Sequence, residues 1–387
     1  MPWKASSPMD LRAELMRRLA AGERMSALCR EYGISRKTGH KFQRRFEEQG
    51  RKGLENQSRA PKVVARRTPP ELTELILAER RAHPTWGGRL IKSVLEKRLE
   101  HTLPSAVAIH RMLQRAGLIA ARRARTIPPP RAAPQREATA SNDLWCIDYK
   151  GQFRLGDRSY CYPLTLTDQW SRFVLACEGM AAISDEDARD VCIDLFRTKG
   201  LPIAIRSDNG PPFASTGLGG LTKLSAFWLQ LGIALDRSRP SHPEDNGRHE
   251  RMHRTLKAET TRPARANLLQ QQECFDAWRP EFNEVRPHQA LGMKRPADVY
   301  VASPRPYPQR LPELRYPTHD DAVVVGSGGS IPVVGVGRVH VTRALVGQTV
   351  GLREAPDGRW LVTFATLDLG HIDRRRRAIV PISQETP

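Results

Sequence analysis

The chain has 387 residues, room for two to four domains, and carries 62 Lys and Arg against 42 Asp and Glu, a net charge of +20. The excess is uneven: residues 1–140 hold 30 basic and 13 acidic side chains, residues 141–300 hold 21 of each, and residues 301–387 hold 11 and 8. A neutral middle behind a basic front reads as a globular core delivered to a polyanion by a binding arm. No stretch approaches 18 apolar residues, which excludes a transmembrane helix, and because Met1-Pro2-Trp3-Lys4 runs into polar sequence no secretory leader is expected. Six cysteines without a C-x-x-C pair predict reduced, mostly buried thiols of a cytoplasmic protein.

Residues 9–46 predict three short helices. Leu11, Leu15 and Leu19 share one face of the first, which Gly22 closes. Ser26 is expected to cap a second, Ala27 to Tyr32, and Ser35 a third carrying Arg36, Lys37, Lys41, Arg44 and Arg45. Helix, glycine turn and Ser-capped basic helix is the helix-turn-helix order, whose last helix enters the major groove. Gly39 weakens that helix by about 1 kcal/mol against Ala. Residues 69–119 repeat the theme, with a helix from Pro69-Pro70, a turn at Trp86-Gly87-Gly88, a helix over Leu90–Leu99 and one capped by Ser105. Residues 126–140, with Pro128-Pro129-Pro130 and Pro134, read as an extended linker.

The pattern then changes. Strands are expected over Leu144–Leu155, Tyr160–Thr167 and Arg172–Met180, a helix over Ser184–Lys199 and a short strand over Ile203–Arg206. A flexible glycine-rich loop, Ser215–Gly220, precedes a helix to Leu231, a strand over Ile233–Leu235 and a helix from about Asp245. That succession predicts an α/β sheet with helices on its faces. Residues 303–319 form a second Pro-rich linker, and residues 320–387 read as a small β-barrel with strands over Ala322–Val325, Val339–Thr342, Thr349–Arg353 and Trp360–Phe364 and a hairpin turn at Asp357-Gly358.

Three carboxylates stand out. Asp148 lies inside the apolar run Leu144–Tyr149, where a charge is costly unless neutralised. Asp208 follows the Ile203–Arg206 strand, at the kind of strand end where α/β sites collect. Glu250 sits on the last helix, on one face with His253, Arg254 and Lys257. His249 and His253 are expected to face DNA rather than hold zinc, Arg251, Arg254 and Lys257 to meet phosphates, Arg286 and His288 to fix the closing segment, and Asp168 to serve a turn.

Four motifs in order, Trp145-Cys146-Ile147-Asp148, Ser207-Asp208-Asn209-Gly210, Asn246-Gly247-Arg248-His249-Glu250-Arg251 and Phe282-Asn283-Glu284-Val285-Arg286-Pro287-His288, resemble the DDE transposase and retroviral-type integrase family, in particular bacterial insertion-sequence transposases. The resemblance implies an α/β ribonuclease H-like catalytic core at residues 141–302, with a mixed five-stranded sheet. Helix-turn-helix DNA-binding domains at 1–62 and 63–125 precede it and an all-β barrel at 320–387 follows. It further implies that Asp148, Asp208 and Glu250 bind two Mg²⁺ or Mn²⁺ ions, because two hard cations can stabilise both the attacking and the leaving oxygen of a phosphodiester transfer. The implied partners are double-stranded DNA, both the element's terminal repeats and the target, and a second copy of the chain at least, on the bacterial nucleoid. One departure stands: 41 residues lie between Asp208 and Glu250, a longer stretch than the family pattern, and Glu244 would restore the shorter spacing. Glu250 is preferred because it follows Asn-Gly-x-x and precedes Arg, and the Ser215–Gly220 loop is expected to absorb the excess.

Overall fold

The computed structural model describes residues 7–57, 68–99, 102–119, 136–239, 243–355 and 358–382. The chain divides into two compact units, residues 1–68 and 69–387.

The first unit holds α1 (Pro8–Ala20), α2 (Met25–Glu31) and α3 (Arg36–Gln49) around Leu15, Met16, Leu28 and Leu54. Ser7 and Asp10 cap α1 reciprocally, and Ser35 accepts the Thr38 N–H at the start of α3. The expected Ser26 cap is not used: α2 starts two residues earlier, behind Arg24, with no side-chain cap. Gly39 has a packing reason that outweighs its helix cost. A Cβ there would lie 2.6 Å from Cys29 Sγ and 2.7 Å from Met25 Sδ, so the glycine lets α3 close on α2. Arg36, Lys37, Lys41 and Arg44 are exposed along α3, and Arg45 is half-buried.

The second unit opens with α4 (Pro70–Ala82), α5 (Gly88–Arg98) and α6 (Ala106–Arg115), packed on Ile76, Trp86, Ile91, Leu95, Ile109 and Leu113. His83 stacks on Trp86 at 3.8 Å and hydrogen-bonds Glu281 at 2.9 Å, tying this bundle to the segment that closes the core. Most of the expected 126–140 linker, residues 126–135, lies outside the described residues.

The core sheet comprises β1 (Leu144–Tyr149), β2 (Phe153–Arg154), β3 (Tyr160–Asp168), β4 (Val174–Met180), β5 (Ala204–Ser207) and β6 (Ala234–Arg237). Its main order is β4-β3-β1-β5-β6, and the two-residue β2 pairs with β3. The β1–β3 and β3–β4 pairs are antiparallel, and β1–β5 and β5–β6 are parallel. The single strand expected to run to Leu155 therefore breaks after Tyr149. Alternation along β1 sends Trp145 and Ile147 to one face, where they join Phe196 of α7 (Asp185–Lys199) and Phe227 and Trp228 of α8 (Lys223–Gln230). On the other face Val174 and Cys177 meet Met252 and Leu256 of α9 (Gly247–Thr260) and Phe275 and Trp278 of α10 (Leu268–Pro280). Helices thus cover both faces of a mixed sheet, the ribonuclease H-like arrangement.

The C-terminal sheet has seven strands, β7 (Asp321–Val324), β8 (Ser330–Val333), β9 (Gly337–His340), β10 (Thr349–Glu354), β11 (Trp360–Phe364), β12 (Leu367–Asp373) and β13 (Ala378–Val380), in the order β7-β10-β11-β12-β13-β9-β8. It curls around a buried core that includes Val339, Val350, Val362 and Phe364. Asp357 of the expected hairpin lies outside the described residues. Arg374–Arg377 form the β12–β13 turn, where Asp373 accepts the N–H groups of Arg375 and Arg376. The Pro-rich stretch between core and barrel is strapped down at both ends. Arg305 donates to Pro202 O at 2.6 Å, and the Tyr316 hydroxyl donates to Thr349 O at 2.9 Å. No helix among the described residues is long and apolar enough to cross a membrane.

Candidate functional site

Sheet register places the first two carboxylates. β1 runs parallel to β5 with Leu144 opposite Ala204 and Cys146 opposite Arg206. Continued two residues, that register sets Asp148 level with Asp208, at the carboxyl ends of neighbouring parallel strands. Helix α9 supplies the third group. Its buried residues His249, Met252, His253, Leu256 and Thr260 recur at helical spacing and face the sheet, whereas Glu250, Arg251, Arg254 and Lys257 are exposed. Asp148, Lys150, Glu250, His253, Arg254 and Lys257 line one cavity of about 490 Å³.

Both histidines point into the protein, which corrects the expectation that they face DNA. The Thr165 hydroxyl, opposite Asp148 in the register, donates to Asp148 O at 3.1 Å and meets His249 Nε2 at 2.9 Å and His253 Nε2 at 2.6 Å. The Thr167 hydroxyl meets His249 Nδ1 at 2.6 Å. The hydroxyl has one hydrogen, so it accepts from at least one of the two imidazoles. Burial lowers both pKa values, that of His249 to about 3, and keeps the rings neutral. His253 Nδ1 lies 3.7 Å from Asp148 Oδ2. Asp148, His249 and His253 bring ligand-type atoms within 4.8 Å of one another, but threonine hydroxyls already occupy both nitrogens of His249.

Burial pushes the Asp148 carboxyl up to about 7, with the charges of Asp208 and Glu250 adding to the effect and Lys150 opposing it. Desolvation also raises Asp208, against the Gly210 N–H that its Oδ1 accepts at 3.3 Å. Asp148 and Glu250 line a cavity without cysteine, and such hard oxygen donors suit a hard divalent cation; Asp208 is not among the residues lining it. Glu244 lies in the one-turn 3-10 segment Pro243–Asn246 ahead of α9.

The surrounding residues explain how the site is held. Arg206, 1% exposed on β5, grips Asp236 of β6 through Nε at 3.1 Å and Nη2 at 3.0 Å, and donates from Nη1 to Asp245 O at 2.7 Å, just ahead of α9. Sequence reasoning missed it, although a charge inside the apolar run Ile203–Arg206 is the same signal that marked Asp148. In the closing segment, Asn283 bonds both the N–H and the carbonyl of Val174, at 2.8 and 2.9 Å, and Arg286 pairs with Glu259 at 2.8 Å. These contacts match the fixing role expected of that segment. Asp168 spends its oxygens on Asn142 N, Ser171 N and Ser171 Oγ, a turn role. Arg251, Arg254 and Lys257 form no ion pair among the described residues.

Comparison with known proteins fits this arrangement. The integrase core domain family matches residues 138–243 and again 231–296, a helix-turn-helix domain family matches residues 11–62, and a homeodomain-like family matches residues 38–113. The chain is 26% identical over 236 residues to the insertion element IS407 31.7 kDa protein of Burkholderia multivorans, covering 59% of this chain and 78% of that protein. It is 28% identical over 165 residues to an insertion element IS136 protein of Agrobacterium fabrum, 40% of this chain and 81% of that one. A Gag-Pol polyprotein of baboon endogenous virus shares 30% identity over 118 residues, 30% of this chain but 6% of the polyprotein. The HTLV-2 integrase catalytic core domain, solved in complex with magnesium, superposes with a TM-score of 0.34 at 15% identity, covering 43% of this chain and all of that one. The core is that of a polynucleotidyl transferase. Residues 138–296 match an integrase core domain, with helix-turn-helix units ahead of it, and the chain is similar there to insertion-element proteins and retroviral polyproteins.

Proposed function

We propose that Asp148, Asp208 and Glu250 are the catalytic carboxylates of a DNA transposase that cleaves at the ends of its own element and joins the 3′-hydroxyl to target DNA. One observation carries the reading. An integrase-core chain sets Asp148 and Glu250 in one cavity rimmed by Lys150, Arg254 and Lys257, with the charge of Asp208 close enough to raise Asp148. The three carboxylates hold two Mg²⁺ or Mn²⁺ ions, which supply charge stabilisation for the attacking and leaving oxygens. Lys150, Arg251, Arg254 and Lys257 bind backbone phosphates, which orients the strand without reading its sequence. Thr165 links the Asp148 carbonyl to His249 and His253 of α9. Arg36, Lys37, Lys41, Arg44 and Arg45 on α3 read the element's ends within residues 1–62, residues 63–125 add a second DNA-binding unit, residues 141–302 form the catalytic core and residues 320–387 the barrel. Pairing two ends calls for at least a dimer.

The test is strand transfer with labelled element ends. Asp148→Asn, Asp208→Asn and Glu250→Gln each abolish cleavage and joining while end binding persists, whereas Glu244→Gln costs less than about tenfold, since a misplaced ligand of even ~1 Å costs about 10²-fold. Full activity in excess chelator overturns the metal reading, and equal loss in Glu244→Gln and Glu250→Gln overturns the choice of glutamate.

A further inference from the structure

A second cavity, of about 560 Å³, shares Gly247 and Arg251 of α9 with the carboxylate cavity. Its size lies within the range of small-molecule sites. Four arginines line it: Arg286, which pairs with Glu259, and three others, Arg172, Arg248 and Arg251. None of these last three pairs with a carboxylate among the described residues. Arg172 gives one hydrogen bond, from Nη1 to Gln169 O at 2.6 Å. Burial, with Arg248 and Arg251 beside it, lowers its pKa to about 10. Such crowding of like charges under partial burial is costly unless an anion relieves it. The acid in the wall, Asp168, has its oxygens engaged by Asn142 and Ser171. The rest of the wall is of another kind. Leu90, Met252 and Phe282 give it apolar surface, and His288 adds a buried Nε2 with no hydrogen-bond partner.

An anion site beside an apolar wall with one free polar nitrogen matches a phosphate joined to a base. We propose that this cavity holds a single unstacked nucleotide of the DNA strand, its phosphate on Arg172, Arg248 and Arg251 and its base against Leu90, Met252 and Phe282. The proposal deepens the DNA reading above, which it takes as given. Because the two cavities share Gly247 and Arg251, the nucleotide held here neighbours the phosphate presented to the carboxylates. Charge-assisted contacts to the phosphate and stacking or apolar contact with the base each contribute, so the intact nucleotide binds more tightly than either fragment.

The experiment titrates the full chain by calorimetry with deoxythymidine 5′-monophosphate, thymidine and inorganic phosphate, all in excess chelator so that no cation bridges them to the carboxylates. The nucleotide is expected to bind at least tenfold more tightly than thymidine or phosphate. Arg248→Ala/Arg251→Ala, two exposed positions that leave the fold intact, is expected to weaken it at least tenfold, and Arg172→Lys to weaken it less. Asp148→Asn is expected to leave it unchanged. Phosphate binding as tightly as the nucleotide overturns the assignment in favour of a bare anion site. Thymidine binding as tightly overturns the phosphate role. Loss in Asp148→Asn, or an unchanged affinity in the double arginine variant, places the nucleotide elsewhere and overturns the proposal. Strand transfer does not enter this measurement, so its failure leaves the carboxylate assignment standing, and failure of that assignment leaves this titration readable.

Discussion

Replacing Arg206 by Met tests whether the site's framework is held by one buried guanidinium. Met fills much of the same volume and donates nothing. Four hydrogen bonds go: two to Asp236, one to Asp245 O at 2.7 Å and one to Arg136 O at 2.7 Å. The Asp236 carboxylate is left buried without its partner, a loss that costs about 3–5 kcal/mol. The two orphaned carbonyls add roughly 1 kcal/mol each, less than additively because the groups share a network. The expected destabilisation of the core is therefore about 4–6 kcal/mol, a large fraction of a typical domain's stability. Arg206→Met/Asp236→Leu removes the unpaired charge and should recover most of the ion-pair share, leaving about 2 kcal/mol from the carbonyls. Urea unfolding followed by fluorescence of the buried Trp145 and Trp228 reads both numbers. A single variant within about 1 kcal/mol of the parent, or a double variant no better than the single, refutes the reasoning.

Two further outcomes follow from the structure. In cation-free protein the Asp148 carboxyl sits at about 7, above the 3.8 of an ordinary aspartate. The folded state then binds the proton more tightly than the unfolded one, so stability falls as pH rises through that window. Mn²⁺ should accordingly raise Tm strongly at pH 8 and little at pH 4, and Asp148→Asn should flatten the difference; an equal shift at both pH values would show that the cation does not compensate this carboxylate. Gly88→Ala gains helix propensity but sets a Cβ 2.5 Å from Ala106 O, so it should destabilise the α4–α6 bundle by about 1–3 kcal/mol. Gly87→Ala, with open space around it, should stay within about 0.5 kcal/mol by the same thermal melt.

Periodicity and capping made the helices legible. Ser35 and Ser105 each accept the expected N–H, because an N-cap is local chemistry that short sequence carries whole. Asp148 was legible for a related reason: a charge in an apolar strand is locally costly wherever the strand goes. What escaped depends on contacts far apart in sequence. Nothing near His249 or His253 reveals that Thr165 and Thr167, 82 to 88 residues earlier, wait opposite them. The strands β8, β12 and β13 were missed because their short runs are broken by Pro332, Gly370 and the Arg374–Arg377 turn.

The long stretch between Asp208 and Glu250 shows why linear spacing is a weak guide to such a site. The loop read as flexible from its glycines is pinned. Ser215 Oγ donates to Leu221 O at 2.7 Å and accepts the Gly217 N–H at 3.2 Å, and Arg237 Nη2 donates to Gly220 O at 3.0 Å. Gly219 adopts φ +64°, and a Cβ there would come within 3.1 Å of the Leu369 side chain of the barrel. Leu221, Ala226 and Leu229 join the barrel's own buried core. This segment thus forms a seat for the C-terminal sheet. Both ends of the long stretch are fixed independently of its length. The β5–β6 register sets Ala204 opposite Ala234, and Arg206 holds Asp245 O just before α9. From there the buried stripe of α9, locked by His249 and His253 onto β3, decides which way Glu250 turns. Residues could be added to or removed from the seat without moving that glutamate, provided the two anchors and the stripe remain.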